Sequence, residues 1–193
     1  MSPRLASLVI PLVCSVALLT GLPAQADPGA PEPTLSAALQ DKTSVGKARL
    51  KVWGFDVYDA TLFVRAGFDA ARYGDQRFAL ELAYLRNFDG ADIAERSVEE
   101  MRRIAPMDDA RAASWLKAMT DVFPNVKKGD RITGVHVPGS GARFYLNGRL
   151  LGEVADDAFS RQFFGIWLSP RTSQPRMRET LLQPVAGASP RNP

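Results

Sequence analysis

The residues best placed to do chemistry sit in pairs on three apolar segments: Lys47 and Arg49, Tyr58 and Thr61, Tyr84 and Arg86. A guanidinium on a covered sheet face needs an anionic partner, because an unpaired buried charge costs too much to keep. Joined by a tyrosine hydroxyl, it makes a forked receptor for a carboxylate or enolate oxygen. Arg49, Tyr58 and Tyr84 are therefore the candidate ligand-binding set. The competing expectation is that Lys47, Arg49 and Arg86 face solvent or pair with Asp56, Glu81 or Asp89.

Other chemistries have little material. His136 is the only histidine and Cys14 the only cysteine. A histidine-based metal site or a Ser-His-Asp triad is not expected, and neither a metal nor a cofactor is assigned. His136 reads as a tolerated residue on a strand face. Gly139-Ser140-Gly141 lacks the lysine and Ser/Thr of a phosphate loop, and it is not a nucleophile elbow. The pairs Glu99-Glu100 and Asp108-Asp109 read as a solvated face and a helix cap. No catalytic residue is assigned.

Period-2 and period-3.6 patterning supplies the elements that would position these residues. Val45–Trp53 and Phe55–Val64 read as strands broken at Gly54, with a parity switch near Tyr58-Asp59 that predicts a bulge. Arg77–Arg86 alternates cleanly. A helix capped by Asp89 ends at Pro106, and one capped by Asp108 ends at Pro124. Strands follow at Arg131–Val137, Ala142–Leu146 and Arg149–Val154. Asn147-Gly148 marks a tight hairpin turn, because both residues tolerate positive φ. A helix capped by Asp156 or Asp157 carries Phe159, Phe163, Phe164, Ile166 and Trp167. Ser173 reads as the cap of a last short helix with Pro175 in its first turn, running to about Leu182. Strands grouped apart from helices predict an α+β fold with a large antiparallel sheet and helices on one face.

The ends read differently. Residues 1–26 have the pattern of a secretory signal: Arg4, an apolar stretch over 5–22, and Ala24-Gln25-Ala26 before the expected cut. Its removal takes away Cys14 and lowers the net charge from +3 to +2, because Arg4 is lost with it. No membrane span is expected afterwards, and interspersed charge gives no case for nucleic-acid binding. The expected setting is periplasmic or secreted. Residues 27–43 read as a flexible lead, 44–182 as one domain, and 183–193 as a disordered tail.

Several segments resemble the chalcone isomerase-like family, and its exported bacterial branch most closely. Val57-Tyr58-Asp59-Ala60-Thr61-Leu62-Phe63 is similar to a strand of that family. Phe123-Pro124-Asn125-Val126-Lys127-Lys128-Gly129-Asp130 is similar to its loop. Leu146-Asn147-Gly148 and Phe163-Phe164-Gly165-Ile166-Trp167-Leu168 follow in the family's order. The resemblance implies an open-faced sandwich with a cleft between sheet and helices. It also implies one of two activities, cyclisation of chalcones or non-catalytic binding of fatty acids. An arginine on the first core strand serves both, and Arg49 is the nearest match, with Lys47 next. The isomerases add a threonine and a tyrosine; Tyr58 stands where the threonine is expected, Thr61 is out of register, and Tyr84 can stand for the tyrosine.

The leading expectation is an exported, non-catalytic domain that binds a small apolar carboxylate such as a fatty acid. The alternatives are an intramolecular lyase or isomerase of chalcone type, and an interaction module whose cleft is filled by its own side chains. Phe159, Phe163 and Trp167 plugging the gap would favour the last. No protein partner is assigned.

Overall fold

A computed structural model describes residues 34–186. The expected signal segment, the lead before residue 34 and the tail after residue 186 lie outside the described residues.

Six strands form one antiparallel meander in sequence order. They are β1 (Thr43–Val52), β2 (Phe55–Val64), β3 (Phe78–Tyr84), β4 (Arg131–Val137), β5 (Gly141–Leu146) and β6 (Arg149–Val154). Helices α2 (Gly90–Ile104) and α3 (Asp109–Val122) intervene between β3 and β4. Helices α4 (Asp157–Leu168) and α5 (Pro175–Ala186) follow β6. The sequence pattern holds closely because each strand alternates and each helix carries one apolar stripe. Along β3 the burial of Phe78, Leu80, Leu82 and Tyr84 marks the face toward the helices.

Three details differ from the sequence expectations. Helix α1 (Leu35–Leu39) lies within the stretch read as a lead and packs on the opposite sheet face, against Ala79, Val135 and Tyr145. Leu35, Ala38 and Leu39 supply its apolar stripe, so the helices do not all share one face. The last helix continues past Leu182 to Ala186. Asp89 takes the N-cap position of α2 without a side-chain cap bond; Asn125 Oδ1 instead accepts from the Gly90 N–H at 2.9 Å.

The bulge falls where the parity switch asks for one. Leu50 pairs with Tyr58 and Lys51 with Asp56, leaving Val57 as the extra residue. From Tyr58 onward the even-numbered side chains of β2 face the helices: Ala60, Leu62 and Val64 are buried there. A one-residue slip moves every side chain to the other face, so this bulge decides which polar residues enter the core.

The space between sheet and helices is filled by aromatic rings. Phe144 of β5 lies 4.9 Å from Phe123 and 5.3 Å from Phe163, ring centre to ring centre, both edge-on. Phe163 stacks on Phe159 at 5.5 Å and meets Trp167 at 5.5 Å. Phe164 meets Phe78 at 5.0 Å over Gly134, where a Cβ would come within 2.9 Å of the Phe164 ring.

Candidate functional site

Tyr58 and Tyr84 face each other across β2 and β3 and lie on the helix side of the sheet. Their rings meet edge-on at 6.1 Å. Trp167 of α4 donates its indole N–H to the Tyr58 hydroxyl at 3.0 Å. Among the described residues no acceptor takes the Tyr58 proton. Burial pushes both tyrosine hydroxyls well above their ordinary value of 10.0, and at Tyr58 the nearby Glu100 charge adds to the rise. Both are therefore neutral donors at physiological pH.

Glu100 comes from α2 and is buried. One carboxylate oxygen accepts from Arg96. The other lies 3.7 Å from Arg103 Nε and accepts no hydrogen bond. Its burial departs from the solvated face expected for Glu99-Glu100. The signal was present: Ser97, Glu100 and Ile104 share the spacing of one helix face, and all three are buried. Arg96 also reaches Glu99 at 2.8 Å, so it spans the buried and exposed carboxylates.

Arg49 does not join this set. Its neighbours Ala48 and Leu50 pack into the helix-side core, and strand alternation turns Arg49 to the other face. There its guanidinium forks onto Asp59, with Nε at 2.7 Å and Nη2 at 3.0 Å from the two carboxylate oxygens. Nη1 reaches Asp56 at 2.9 Å. Lys47 and Lys51 complete the cluster at 3.7 Å from Asp59 and 3.3 Å from Asp56. The hydrogen bonds from Arg49 hold the Asp59 carboxyl below the usual carboxylate range. The bidentate geometry expected for a ligand is already used by a carboxylate of the next strand, as the solvent-facing alternative anticipated. Thr61 pairs with Lys47 and Glu81 on that same face. Arg86 lies over the exposed Phe55 ring at 4.9 Å.

His136 lies on the helix-side face of β4 and is fully buried there. Nε2–H donates to the Gly74 carbonyl at 2.9 Å, and Nδ1 accepts from the Ser160 hydroxyl at 2.6 Å. This neutral ring ties β4 to α4 and to the 3-10 turn Ala70–Asp75. Burial pushes its pKa below the ordinary 6.5. The unfolded chain therefore binds more protons than the folded one just below pH 6.5, and the stability His136 contributes is present above that pH and lost as pH falls. Urea midpoints should drop between pH 6.5 and the carboxylate range, and His136→Gln should flatten that slope. An unchanged slope in the variant would assign it elsewhere.

Among the described residues there is no group of three potential metal ligands, and no helix is long and apolar enough to cross a membrane. Two open depressions occur elsewhere. One, of about 420 Å³, is lined by Asn87, Phe88, Asp92 and Asn125; the other, of about 600 Å³, by Phe68, Ala71, Arg178 and Leu182. Neither is lined by Tyr58 or Tyr84.

A six-stranded meander with its main helices on one face, its seam filled by α4 aromatics and holding the tyrosine pair, defines an open-faced α+β sandwich. Residues 42–183 match the profile of the chalcone isomerase-like family, and the chain belongs to that family. It is 29% identical over 131 residues to an uncharacterised protein of Haemophilus influenzae, a match covering 67% of this chain and 63% of that one. The chain thus spans less than two thirds of that relative's length. A fatty-acid binding protein of Arabidopsis thaliana shares the fold at a TM-score of 0.59 and 14% identity, over 74% of this chain and 87% of the other.

Proposed function

We propose that the domain binds a small apolar carboxylate, such as a fatty acid, at the mouth of the seam where Tyr58, Trp167, Glu100 and Arg96 meet. The observation that carries this reading is unspent hydrogen-bonding capacity in an apolar surrounding. The Tyr58 proton has no acceptor among the described residues, and one oxygen of buried Glu100 has no donor. Buried polar groups are nearly always satisfied, and a group that is not asks for a reason. A ligand carboxylate can accept from Tyr58 and from Arg96. Glu100 then turns its charge toward Arg103, already 3.7 Å away. The acyl chain needs room that Trp167 and α5 now occupy, so binding requires them to move apart. Fatty-acid binding by a protein of the same fold supports the ligand class.

Native mass spectrometry of protein purified from its host should show a copurifying acyl chain. Fatty-acid titration should be saturable, and Tyr58→Phe should weaken it about tenfold, the cost of one charge-assisted hydrogen bond. The absence of both copurified lipid and saturable binding would sink the reading. The interlock of Phe159, Phe163 and Trp167 supports the second reading, an interaction module with a self-filled seam. That reading expects the negative outcome. Turnover of a chalcone above background would establish the isomerase alternative.

The setting we propose is outside the cytoplasm, on the strength of the apolar segment and the Ala24-Gln25-Ala26 pattern. Amino-terminal sequencing of the protein from its host should begin at Asp27.

A further inference from the structure

The turn between β1 and β2 repeats the positive φ angles of the turn between β5 and β6. Trp53 and Gly54 take φ of 49° and 83°, and Asn147 and Gly148 take 51° and 87°. The second turn uses asparagine, which tolerates the left-handed region. The first places a tryptophan there, where a bulky side chain is disfavoured. Nothing within the domain compensates: Trp53 is 94% exposed, Phe55 60% and Val52 41%. They are the large apolar residues most exposed among those described.

The surroundings are basic. Arg86 covers the Phe55 ring. Its neighbour Asn87 accepts from the Lys128 N–H at 2.9 Å, which joins the Lys127-Lys128 loop to the same end of the sheet. Arg86, Lys127 and Lys128 are exposed, and no carboxylate of the described residues comes within 4.0 Å of their charged groups. Asp56 is matched by Arg49 and Lys51, and Asp130 is held by the Lys127 N–H and the Asn147 side chain. Asp89 and Asp92 are the remaining exposed carboxylates nearby, beside Asn87 and Lys127, so three unpaired cations face two acids.

We propose that this end of the sheet docks on an anionic phospholipid surface. Trp53, Phe55 and Val52 enter the headgroup–acyl boundary, and Arg86, Lys127 and Lys128 meet the headgroups. Three apolar side chains on a convex turn are too few for the roughly 800 Å² per partner of a stable protein interface. A fluid boundary needs no matching concave surface, and it favours tryptophan with flanking basic residues. This inference stands apart from the seam and does not depend on the proposed ligand.

Cosedimentation of the purified chain with vesicles tests it. Mixed phosphatidylcholine–phosphatidylglycerol vesicles should retain the protein, and phosphatidylcholine alone should retain much less. Trp53→Ser with Phe55→Ser should lower partitioning at least about tenfold, since two buried aromatic contacts are lost. Lys127→Glu with Lys128→Glu should abolish the preference for anionic vesicles, as should high salt. Circular dichroism and thermal midpoints near wild type would show that the variants fold. Absence of cosedimentation, or partitioning unchanged by Trp53→Ser with Phe55→Ser, overturns the proposal. So does a Trp53-dependent dimer that binds no vesicles.

Discussion

Phe144→Ala lowers the stability of this domain by about 3–5 kcal/mol, the usual cost of deleting a buried phenyl ring. Phe144 is 1% exposed and contacts Phe123, Phe159 and Phe163, which come from two other parts of the chain. Its removal leaves a hole that none of these rings can fill without losing another contact. For a domain of this size the thermal midpoint should fall by roughly 6–20 °C. Urea unfolding with an unchanged slope would confirm that the loss is native-state packing. Phe144→Leu should cost clearly less. A loss below about 1 kcal/mol for the alanine variant would show a loosely packed seam, and that outcome would make ligand entry easier than the present packing allows.

Gly46→Ala destabilises as well, against the ordinary trend. An alanine inside a strand usually gains about 0.5–1 kcal/mol over glycine. Here a Cβ would lie 1.9 Å from the Leu181 carbonyl oxygen and 2.4 Å from its carbon. Both belong to backbone, so no rotamer change relieves the clash. Helix α5 must lift from β1, at a cost of about 3 kcal/mol. Amide exchange should show α5 losing protection first, while β3 and β4 keep theirs. Met177 and Leu181 leave the core with it. An α5 that opens more readily should also speed fatty-acid uptake if α5 gates the seam. A variant as stable as wild type would mean that α5 sits less tightly on β1 than the structure has it.

Much of the fold is legible in residues read one segment at a time. The alternation in β3, the Asn147-Gly148 turn, and the proline stops after α2 and α3 are local signals acting through backbone sterics. The site is legible only in part. Tyr58 and Tyr84 meet because both strands keep the parity their apolar neighbours announce. Arg49 belongs to the opposite face, which its neighbours Ala48 and Leu50 indicate only once their own side is known. Glu100 was hidden by its neighbour Glu99, since adjacent carboxylates look like a solvated pair until the helix is rotated onto its partners.

The sequence by itself determined the order of elements, the antiparallel sheet and the aromatic stripe of α4, because periodicity and turn chemistry are properties of short stretches. Only the tertiary structure decided which faces are covered, that the seam is filled, and which charges find partners. Those outcomes depend on where the Val57 bulge resets the register and on how closely α5 approaches Gly46. They also depend on Asp59 standing directly across from Arg49, and such contacts join residues that no local pattern connects.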